Sequence, residues 1–491
     1  MVAGTVRLRS QAEVDSLRGV TFVGGALYIG PSTDITDLGA LRDLRTVATG
    51  VAIEGNELLT GLAGLGGLES ARSGLVIRGN PVLQDLEALA GVADARFIEI
   101  VDCPSLTDLA GCPQSASVDQ VRLANLPALS DLSAMAGLTA TTQLDLRGPL
   151  GGADLSPLGG LPMLHGLLLQ EIDGLASLTQ IGAPPGLAAL TLIGLDDLTG
   201  LEGAAALTGL TFLSVQDCAH LTSMAGLAQL PALTNLGLTR LPALATLENL
   251  GGITIRSLQL VELDALGSLD GSAPLPALTD LTAAACPQLT GLTGLAGMAP
   301  SLQRLYLADL PALVSLNAGG ALDSLVTLEL DGCAMLSGLA DLPALPSLTN
   351  LSLRRLASLS DVAGFPPVAP TATVYIADMT SLTSLAGLAG LTTCRRLSVE
   401  NCDALASLAG LGSLDTVSER LRFQGNAILT DLADLAPQIG VGRVEFFDNP
   451  LLDQCALLSR LSTWTVAVTV YVAGNGPCLG APAPATSWRG W

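Results

Sequence analysis

The amino-acid sequence predicts a repeat solenoid, in which short rungs stack and their strands form a parallel β-sheet. Segments of about 23 residues follow one another with a common pattern, and apolar residues recur at every third position within them. Aromatic residues make up only 3% of the chain although hydrophobic residues make up 49%. Small aliphatic side chains suit thin stacked layers better than one large globular core.

The repeat is clearest in three successive segments, which begin at positions 190, 213 and 236. We call the first aliphatic residue of each strand position zero of its rung. The same phase extends in both directions and gives rungs of 22 to 26 residues. The predicted rung starts are Leu27, Val51, Leu75, Ile98, Val121, Leu144, Leu167, Leu190, Leu213, Leu236, Leu258, Leu281, Leu305, Leu328, Leu351, Val374, Leu397, Leu421, Val444 and Val470.

Each rung begins with a strand and continues through turns. Positions zero and two are aliphatic, as at Leu328 and Leu330, and this alternation is typical of a strand. The period of three that follows, as in Cys218, Leu221 and Met224, does not fit an α-helix with 3.6 residues per turn. It favours short 3₁₀ or extended segments between turns. A single rung cannot bury its apolar row alone, so neighbouring rungs must stack.

The pattern resembles that of leucine-rich repeats. Stretches such as VAIEGNELLTGL at Val51, LVIRGNPVLQDL at Leu75 and LSVENCDALASL at Leu397 carry the likeness, which covers about residues 1–478. They look closest to receptor L domains and to bacterial surface repeat proteins, and more distantly similar to internalins. The resemblance implies a curved right-handed coil, with the sheet on its concave face and turns or 3₁₀ segments on its convex face. Such scaffolds bind different partners, so the likeness does not identify one.

The sequence suggests four regions. We expect an N-terminal cap at 1–26 with a strand near Val6, a solenoid at 27–449, a C-terminal cap with the last strand at 450–478, and a flexible tail at 479–491 that is rich in Pro and Ala. The segment NPLLDQCALLSRLSTW breaks the repeat and predicts a short capping helix.

The fifth position of each rung differs between the ends and the middle of the chain. Asn occupies it near the two ends, whereas Leu is common in the middle. In related repeats the Asn amide satisfies turn backbone, so the central turns either satisfy their backbone differently or are straighter. The Asn residues are Asn56, Asn80, Asn426, Asn449 and Asn475, and examples of the Leu residues are Leu126, Leu195, Leu241, Leu310 and Leu356.

Seven cysteines fall in columns that should point inward, where cysteine acts as a small apolar residue. They are Cys103, Cys112, Cys218, Cys286, Cys333, Cys394 and Cys402. Cys455 and Cys478 lie at the C-terminal end, where the final rung needs a cover, and similar caps of exported repeat proteins imply a disulfide between them. Two free thiols are the alternative. A disulfide would indicate an extracellular or cell-surface protein, and free thiols a cytoplasmic one.

Composition and motifs argue against several functions. The net charge of −23 disfavours nucleic acid and anionic membrane surfaces as partners. The uncharged run 281–303 is interrupted by Pro and Gly, which disfavours a membrane span. His165 and His220 lie more than two rungs apart and are interpreted as solvated turn residues. We found no catalytic or cofactor-binding motif, and expect no enzyme activity, cofactor or metal.

Charged residues on the strands form columns across neighbouring rungs. Glu99, Arg122 and Asp145 follow one another at position one, as do Arg422 and Glu445 further along the chain. At position three, Glu54 precedes Arg78 and Asp331 precedes Arg354. Opposite charges on neighbouring strands stabilise a sheet, so these residues can simply pair with one another.

All four tyrosines occupy position one, on the outward face of the strands. They either favour β structure or anchor a partner, since aromatic and Arg side chains are enriched at interface hot spots. We predict a recognition or adhesion module of an exported bacterial surface protein, which binds a protein or glycan on its concave face and is monomeric. The alternative is a self-assembling structural protein. The predicted binding residues are Tyr306, Glu329, Arg354, Tyr375, Glu400, Arg422, Glu445, Phe447 and Tyr471. Pairing of opposite charges within a column explains Arg422 with Glu445. It predicts no partner for Tyr306, Tyr375 or Phe447.

Overall fold

The computed structural model describes residues 1–114, 118–248, 250, 253–270, 274–366, 368–430, 432 and 434–479. The chain divides into two compact units, Met1–Leu241 and Pro242–Trp491. The predicted tail, with Trp488 and Trp491, lies outside the described residues except for Leu479. No helix of the described ranges has the length and apolar character to cross a membrane.

The N-terminal unit is built on parallel strands, each paired with the strand of the next rung. Its strands are β1 (Val6–Leu8), β2 (Phe22–Val23), β3 (Leu27–Ile29), β4 (Thr46–Val47), β5 (Gly50–Glu54), β6 (Ser70–Ala71), β7 (Gly74–Arg78), β8 (Phe97–Val101), β9 (Gln120–Ala124), β10 (Gln143–Arg147), β11 (Gly166–Gln170), β12 (Ala189–Ile193), β13 (Phe212–Gln216) and β14 (Asn235–Thr239). Strands β2, β4 and β6 form a separate three-stranded sheet.

Helical segments in this unit are short. Helix α1 spans Gln11–Asp15 and follows β1, where the sequence predicted a strand but no helix. Ser10 caps its first turn by accepting a hydrogen bond from the Glu13 N–H. The 3₁₀ segments are Gly39–Leu41, Ala63–Leu65, Glu87–Leu89, Ser133–Gly137, Ser156–Gly160, Leu178–Ile181, Ala204–Ala206 and Leu227–Gln229. Their lengths of three to five residues agree with the predicted short turns.

The C-terminal unit repeats the arrangement, again with parallel pairing from rung to rung. Its strands are β15 (Ser257–Val261), β16 (Asp280–Ala284), β17 (Arg304–Ala308), β18 (Thr327–Asp331), β19 (Asn350–Arg354), β20 (Thr373–Ala377), β21 (Thr393–Glu400), β22 (Thr416–Gln424), β23 (Gly440–Phe447) and β24 (Thr465–Ala473). The helices are α2 (Leu295–Met298), α3 (Gln454–Leu461) and the 3₁₀ segment Ala386–Leu388. Helix α3 lies where the sequence predicted a capping helix.

Strand register confirms the repeat phase. Position zero of one rung pairs with position zero of the next, as Leu167 does with Leu190 and Leu305 with Leu328. Side chains at positions zero and two are buried, while those at positions one and three lie on the opposite face, which we call the open face. The rows with a period of three are buried as well. The chain is a leucine-rich-repeat solenoid in fold.

The strand ladder is extended by one bond at position four, in both the end rungs and the middle rungs. The N–H of this residue donates to the position-three carbonyl of the next rung, as from Asp217 to Thr239 and from Gly332 to Arg354. The residue has a positive φ, such as 54° at Asp217 and 69° at Gly332. Central turns therefore satisfy this part of their backbone without an asparagine.

The asparagines of the end rungs add a side-chain ladder. The Asn80 Nδ2 donates to the Ile53 carbonyl of the preceding rung at 2.8 Å, and its Oδ1 accepts from the Asn56 N–H at 3.0 Å. The same two bonds recur at the C-terminal end, where Asn449 donates to the Phe423 carbonyl and accepts from the Asn426 N–H.

Cysteines at the fifth position imitate this asparagine. The Cys286 thiol donates to the Leu260 carbonyl of the preceding rung at 3.8 Å and to the Ala284 carbonyl at 3.4 Å. Burial raises the pKa of Cys286, and the Leu263 N–H, which points at the sulfur from the preceding rung, lowers it in part. All seven inward cysteines are buried and free, as predicted. Those at the fifth position also serve as weak polar substitutes for asparagine.

Candidate functional site

The open face of the N-terminal unit carries charges that alternate in sign along neighbouring strands. Arg122 lies between two carboxylates: Glu99 is 3.7 Å from its Nη1, and Asp145 is 3.9 Å from its Nε. Glu99 also contacts Arg78, which in turn lies 3.8 Å from Glu54. The hydrogen bond to Glu99 is the main cause that raises the pKa of Arg78. The predicted pairing of these columns is therefore confirmed, and each arginine has a carboxylate neighbour.

The C-terminal unit carries a second network, centred on Arg422. Its guanidinium lies 3.2 Å from Glu400 Oε1 and 3.4 Å from Glu445 Oε2, and it also donates to the Gln424 side chain. Glu445 is only 6% exposed and forms an ion pair with a second arginine, Arg443, at 3.6 Å. Since these groups hold one another in place, they form a preorganised surface of mixed charge.

Arg354 continues the same face. It lies 3.8 Å from Asp331 and 3.7 Å from Asp378. The guanidinium carbon also lies 6.0 Å from the centre of the Tyr375 ring. The Tyr375 hydroxyl donates to Glu400 at 3.5 Å, a long bond that links this group to the network of Arg422.

The expectation that Tyr375 and Phe447 lack partners is wrong. Arg354 lies over Tyr375, and Arg422 lies 5.9 Å from the Phe447 ring centre. Tyr471 likewise has Arg443 at 5.5 Å. Each pair is diagonal, with the two residues at different positions of neighbouring strands. Comparing residues within one column misses such pairs, although diagonal neighbours lie within reach of long side chains.

Tyr306 and Glu329 lie at one end of the predicted set and face each other in register on β17 and β18. In the described part of the chain, Tyr306 has no arginine over its ring, and it is 36% exposed. Burial is the main cause that raises the pKa of Tyr306, followed by Asp331 and Glu329. The structure thus connects the other predicted residues from Arg354 to Tyr471, and Tyr306 is the most accessible aromatic side chain of the predicted set.

A column of arginines at the residue before position zero was not among the predicted site residues. Arg396, Arg420 and Arg443 occupy it on three neighbouring strands, paired in register across β21, β22 and β23. These strands contain eight, nine and eight residues, whereas β15–β20 contain five each. Their register shifts between Val417 and Arg420 and again between Val441 and Arg443. The sequence does contain a signal for this column, because an Arg directly precedes position zero in three successive rungs.

The C-terminal cap is closed covalently. Cys455 at the start of α3 and Cys478 after β24 form a disulfide, with Cα atoms 5.0 Å apart. Asp453 caps α3 by accepting hydrogen bonds from the N–H groups of Cys455 and Ala456. In the described ranges, these three groups, Asp453, Cys455 and Cys478, are the one cluster close enough to hold a metal ion. Because both sulfurs are in the disulfide, neither is available as a thiolate ligand.

The two histidines lie in the N-terminal unit and are exposed, as predicted. His220 Nδ1 lies 2.7 Å from the Asp196 carbonyl of the preceding rung. This contact joins neighbouring turns and leaves the ring at the surface.

Comparisons with known proteins give structural likeness only. No family profile and no curated relative matches the chain. Among solved structures, an internalin from Listeria monocytogenes is similar over 73% of this chain and 89% of its own, with 18% identity and a TM-score of 0.36. The TLR13–ssRNA13 complex matches over 96% of this chain and 80% of its own, with 15% identity and a TM-score of 0.46. A leucine-rich-repeat protein of Leptospira interrogans matches over 89% of this chain and 92% of its own, with 17% identity and a TM-score of 0.33. The repeat register within this chain establishes the leucine-rich-repeat fold.

Proposed function

We propose that this protein is a recognition or adhesion module that binds a protein or glycan partner on the open face of its C-terminal unit. The observation that carries the proposal is the row of aromatic rings on that face, three of which are held against arginines. Aromatic and Arg side chains dominate interface hot spots, and side chains already fixed in the free protein lose less entropy on binding.

The cap supports an extracellular or cell-surface location for this module. The disulfide between Cys455 and Cys478 persists in an oxidising environment and would be reduced in most cytoplasms. A bacterial surface protein is the setting that we propose. The runner-up function is self-association into a larger assembly, through the edges or caps of the solenoid.

Tyrosine substitutions test the proposed face. Tyr306→Ala and Tyr375→Ala should each weaken partner binding by about 1–2 kcal/mol, or roughly tenfold, because each removes an aromatic anchor. The matched control is Tyr28→Ala in the N-terminal unit, where Arg7 lies 4.1 Å from the ring centre. Binding is measured against candidates selected from a glycan array and from surface extracts, with the intact chain immobilised.

Two results would argue against this assignment. Full affinity in the Tyr306→Ala/Tyr375→Ala double variant, with a loss in Tyr28→Ala, would move the binding face to the N-terminal rungs. Light scattering that shows growth in mass with concentration would favour self-assembly instead. A constant monomer mass supports the recognition module.

A further inference from the structure

The arginine column of β21–β23 is unusual for this molecule. Its formal net charge is −23, with 22 basic residues against 45 acidic ones. Yet Arg396, Arg420 and Arg443 face one another in register on neighbouring strands, which lie about 4.8 Å apart. Like charges directly opposite in a sheet destabilise it. On the N-terminal open face, by contrast, Arg122 has a carboxylate on each side.

The carboxylates nearby do not balance this column. Glu419 bridges the Nε atoms of Arg395 and Arg396, at 2.5 and 2.6 Å. Glu445 forms ion pairs with both Arg443 and Arg422, and Glu400 forms an ion pair with Arg422. The local set of five arginines and three glutamates therefore has an excess of two positive charges. The arginines are Arg395, Arg396, Arg420, Arg422 and Arg443, and the glutamates are Glu400, Glu419 and Glu445.

Arg420, in the middle of the column, is the least satisfied of these residues. No carboxylate of the described ranges lies within ion-pair distance of its guanidinium. Its Nε is buried from solvent and has no hydrogen-bond partner among the described residues. A buried cationic donor without a partner is costly, and an anion placed beside it would remove that cost.

A cavity of about 360 Å³ opens beside this group. It lies at the register shift between β22 and β23, where the bulged residues Ser418 and Glu419 stand opposite the single residue Gly442. A Cβ on Gly442 would lie 2.5 Å from the Ser418 carbonyl oxygen, so only glycine fits there. The cavity is lined by Arg396, Ser418, Glu419, Arg420, Gly442 and Arg443.

We propose that this cavity binds a tetrahedral oxyanion, a sulfate or phosphate group carried by the partner. Guanidinium groups present paired N–H donors that match such oxygens, and two or more of them can share one anion. The volume leaves room for the group that bears the anion. The inference that the oxyanion belongs to a partner rests on the proposed function, whereas the anion site itself rests on the cavity and on Arg420.

Inorganic sulfate and phosphate are the probes that test the site. Titration of the full chain at constant ionic strength, held with chloride, should show saturable binding with one site per chain by calorimetry. Arg420→Gln and Arg443→Gln should each weaken that binding tenfold or more, because each removes a charged donor from the cavity. The matched control is Arg304→Gln, which is also at the residue before position zero but is paired with Asp280.

Thermal denaturation gives a second readout, independent of the heat of binding. Sulfate stabilises proteins in general by exclusion from their surface, so the control variant defines that background. Sulfate should raise the Tm of the wild type and of Arg304→Gln more than that of Arg420→Gln. Without sulfate, Arg420→Gln should be at least as stable as the wild type, because a repulsion is removed.

The outcomes separate this site from the proposed function. Non-saturable heats, or equal weakening in Arg304→Gln, would overturn the oxyanion site and leave the tyrosine face untouched. Saturable anion binding with unchanged partner binding in Arg420→Gln would confirm the cavity but refute the partner as the carrier. To identify the carrier, a sulfated oligosaccharide and a phosphoserine peptide are compared with the inorganic ions. Binding of either one more tightly supports a carried oxyanion, and equal or weaker binding of both refutes it.

Discussion

The rungs at the two ends of the chain and the rungs between them solve the same backbone problem with different side chains. At the ends, the fifth position is Asn, whose amide both donates to and accepts from the preceding rung, as Asn80 and Asn449 do. In between, the position is largely Leu, with Cys at intervals. Asn forms full hydrogen bonds, Cys forms weak ones, and Leu forms none with its side chain.

This difference shows how the repeat tolerates substitution. The position-four N–H extends the strand ladder in the rungs of both kinds, so the main-chain turn does not depend on Asn. What Asn adds is a buried polar ladder, which ties each end rung to its neighbour. Terminal rungs of a solenoid have only one stacked neighbour or a cap, and therefore benefit most from such ties.

The largest expected difference between the two kinds of rung is their response to alkaline pH. The fifth-position cysteines of the middle rungs titrate, whereas the asparagines of the end rungs do not. Burial raises the pKa of Cys218 and Cys333 to about 11 and that of Cys402 to about 12, from an ordinary value of 9.0. A raised folded-state pKa gives stability that is complete below about pH 9 and is lost as the pH rises toward 12. At pH 10 these three thiols together should lower the free energy of unfolding by about 4 kcal/mol.

Urea unfolding at pH 8 and pH 10, without oxygen, measures this loss. The triple variant Cys218→Ala/Cys333→Ala/Cys402→Ala is the control, since repulsion among the acidic residues acts on it equally. Its stability should fall by about 4 kcal/mol less than that of the wild type over the same interval. An equal fall in both proteins would show that these thiols are not protected in the folded state.

Removing one asparagine should have the next largest effect. Asn449→Leu removes the side-chain bond to the Phe423 carbonyl, leaves the Asn426 N–H without its side-chain acceptor, and breaks the side-chain bond to Asn475. Since unsatisfied buried polar groups cost about 1–3 kcal/mol each, we expect a loss of about 3 kcal/mol in the free energy of unfolding.

Asn350→Leu is the matched control for this variant, because Asn350 is exposed on a strand. Among the described residues, its side chain bonds only to Thr327 at 3.4 Å and to Thr349 at 3.2 Å. We expect its free energy of unfolding to change by less than about 0.5 kcal/mol. If both substitutions had the same small effect in urea unfolding, the asparagine ladder would not be a source of stability.

The sequence predicted the rung starts and the inward columns because side-chain burial imposes them directly. Leu190 and Leu213 pair in register, and Cys103 and Cys394 are buried, because each column repeats an apolar requirement. The pairing of Glu99, Arg122 and Asp145 could be predicted as well, because these residues share one column on neighbouring strands.

The oxyanion cavity and the arginine–aromatic pairs could not be predicted in this way. The bulge between Val417 and Arg420 inserts a residue into β22, and since the rung spacing varies along the chain, no regular pattern marks the bulge. The contacts of Tyr375 and Phe447 run diagonally between strands, and depend on side-chain conformations that the sequence does not specify.

The smallest expected difference in the free energy of unfolding is the one between two variants that each place an asparagine in a middle rung. Leu310 and Leu313 are both fully buried in the same rung, at the fifth and eighth positions. In Leu310→Asn, the amide would face the Ala283 carbonyl and the Cys286 N–H, as Asn80 faces the equivalent groups of its neighbour. In Leu313→Asn, it would enter a column where the neighbouring rungs have Leu289 and Leu336.

Both substitutions lose apolar burial, and both should destabilise the protein, because a buried amide must find hydrogen bonds to offset its desolvation. Only Leu310→Asn can form the bonds of the asparagine ladder, so its loss in the free energy of unfolding should be smaller by about 1–2 kcal/mol. The two variants share residue type, burial and rung, which leaves position as the one difference in urea unfolding. Equal losses in the free energy of unfolding would mean that this backbone geometry does not explain why the end rungs have asparagine at the fifth position. A smaller loss at Leu310 would show that the middle rungs retain the geometry for an asparagine that their sequence no longer contains.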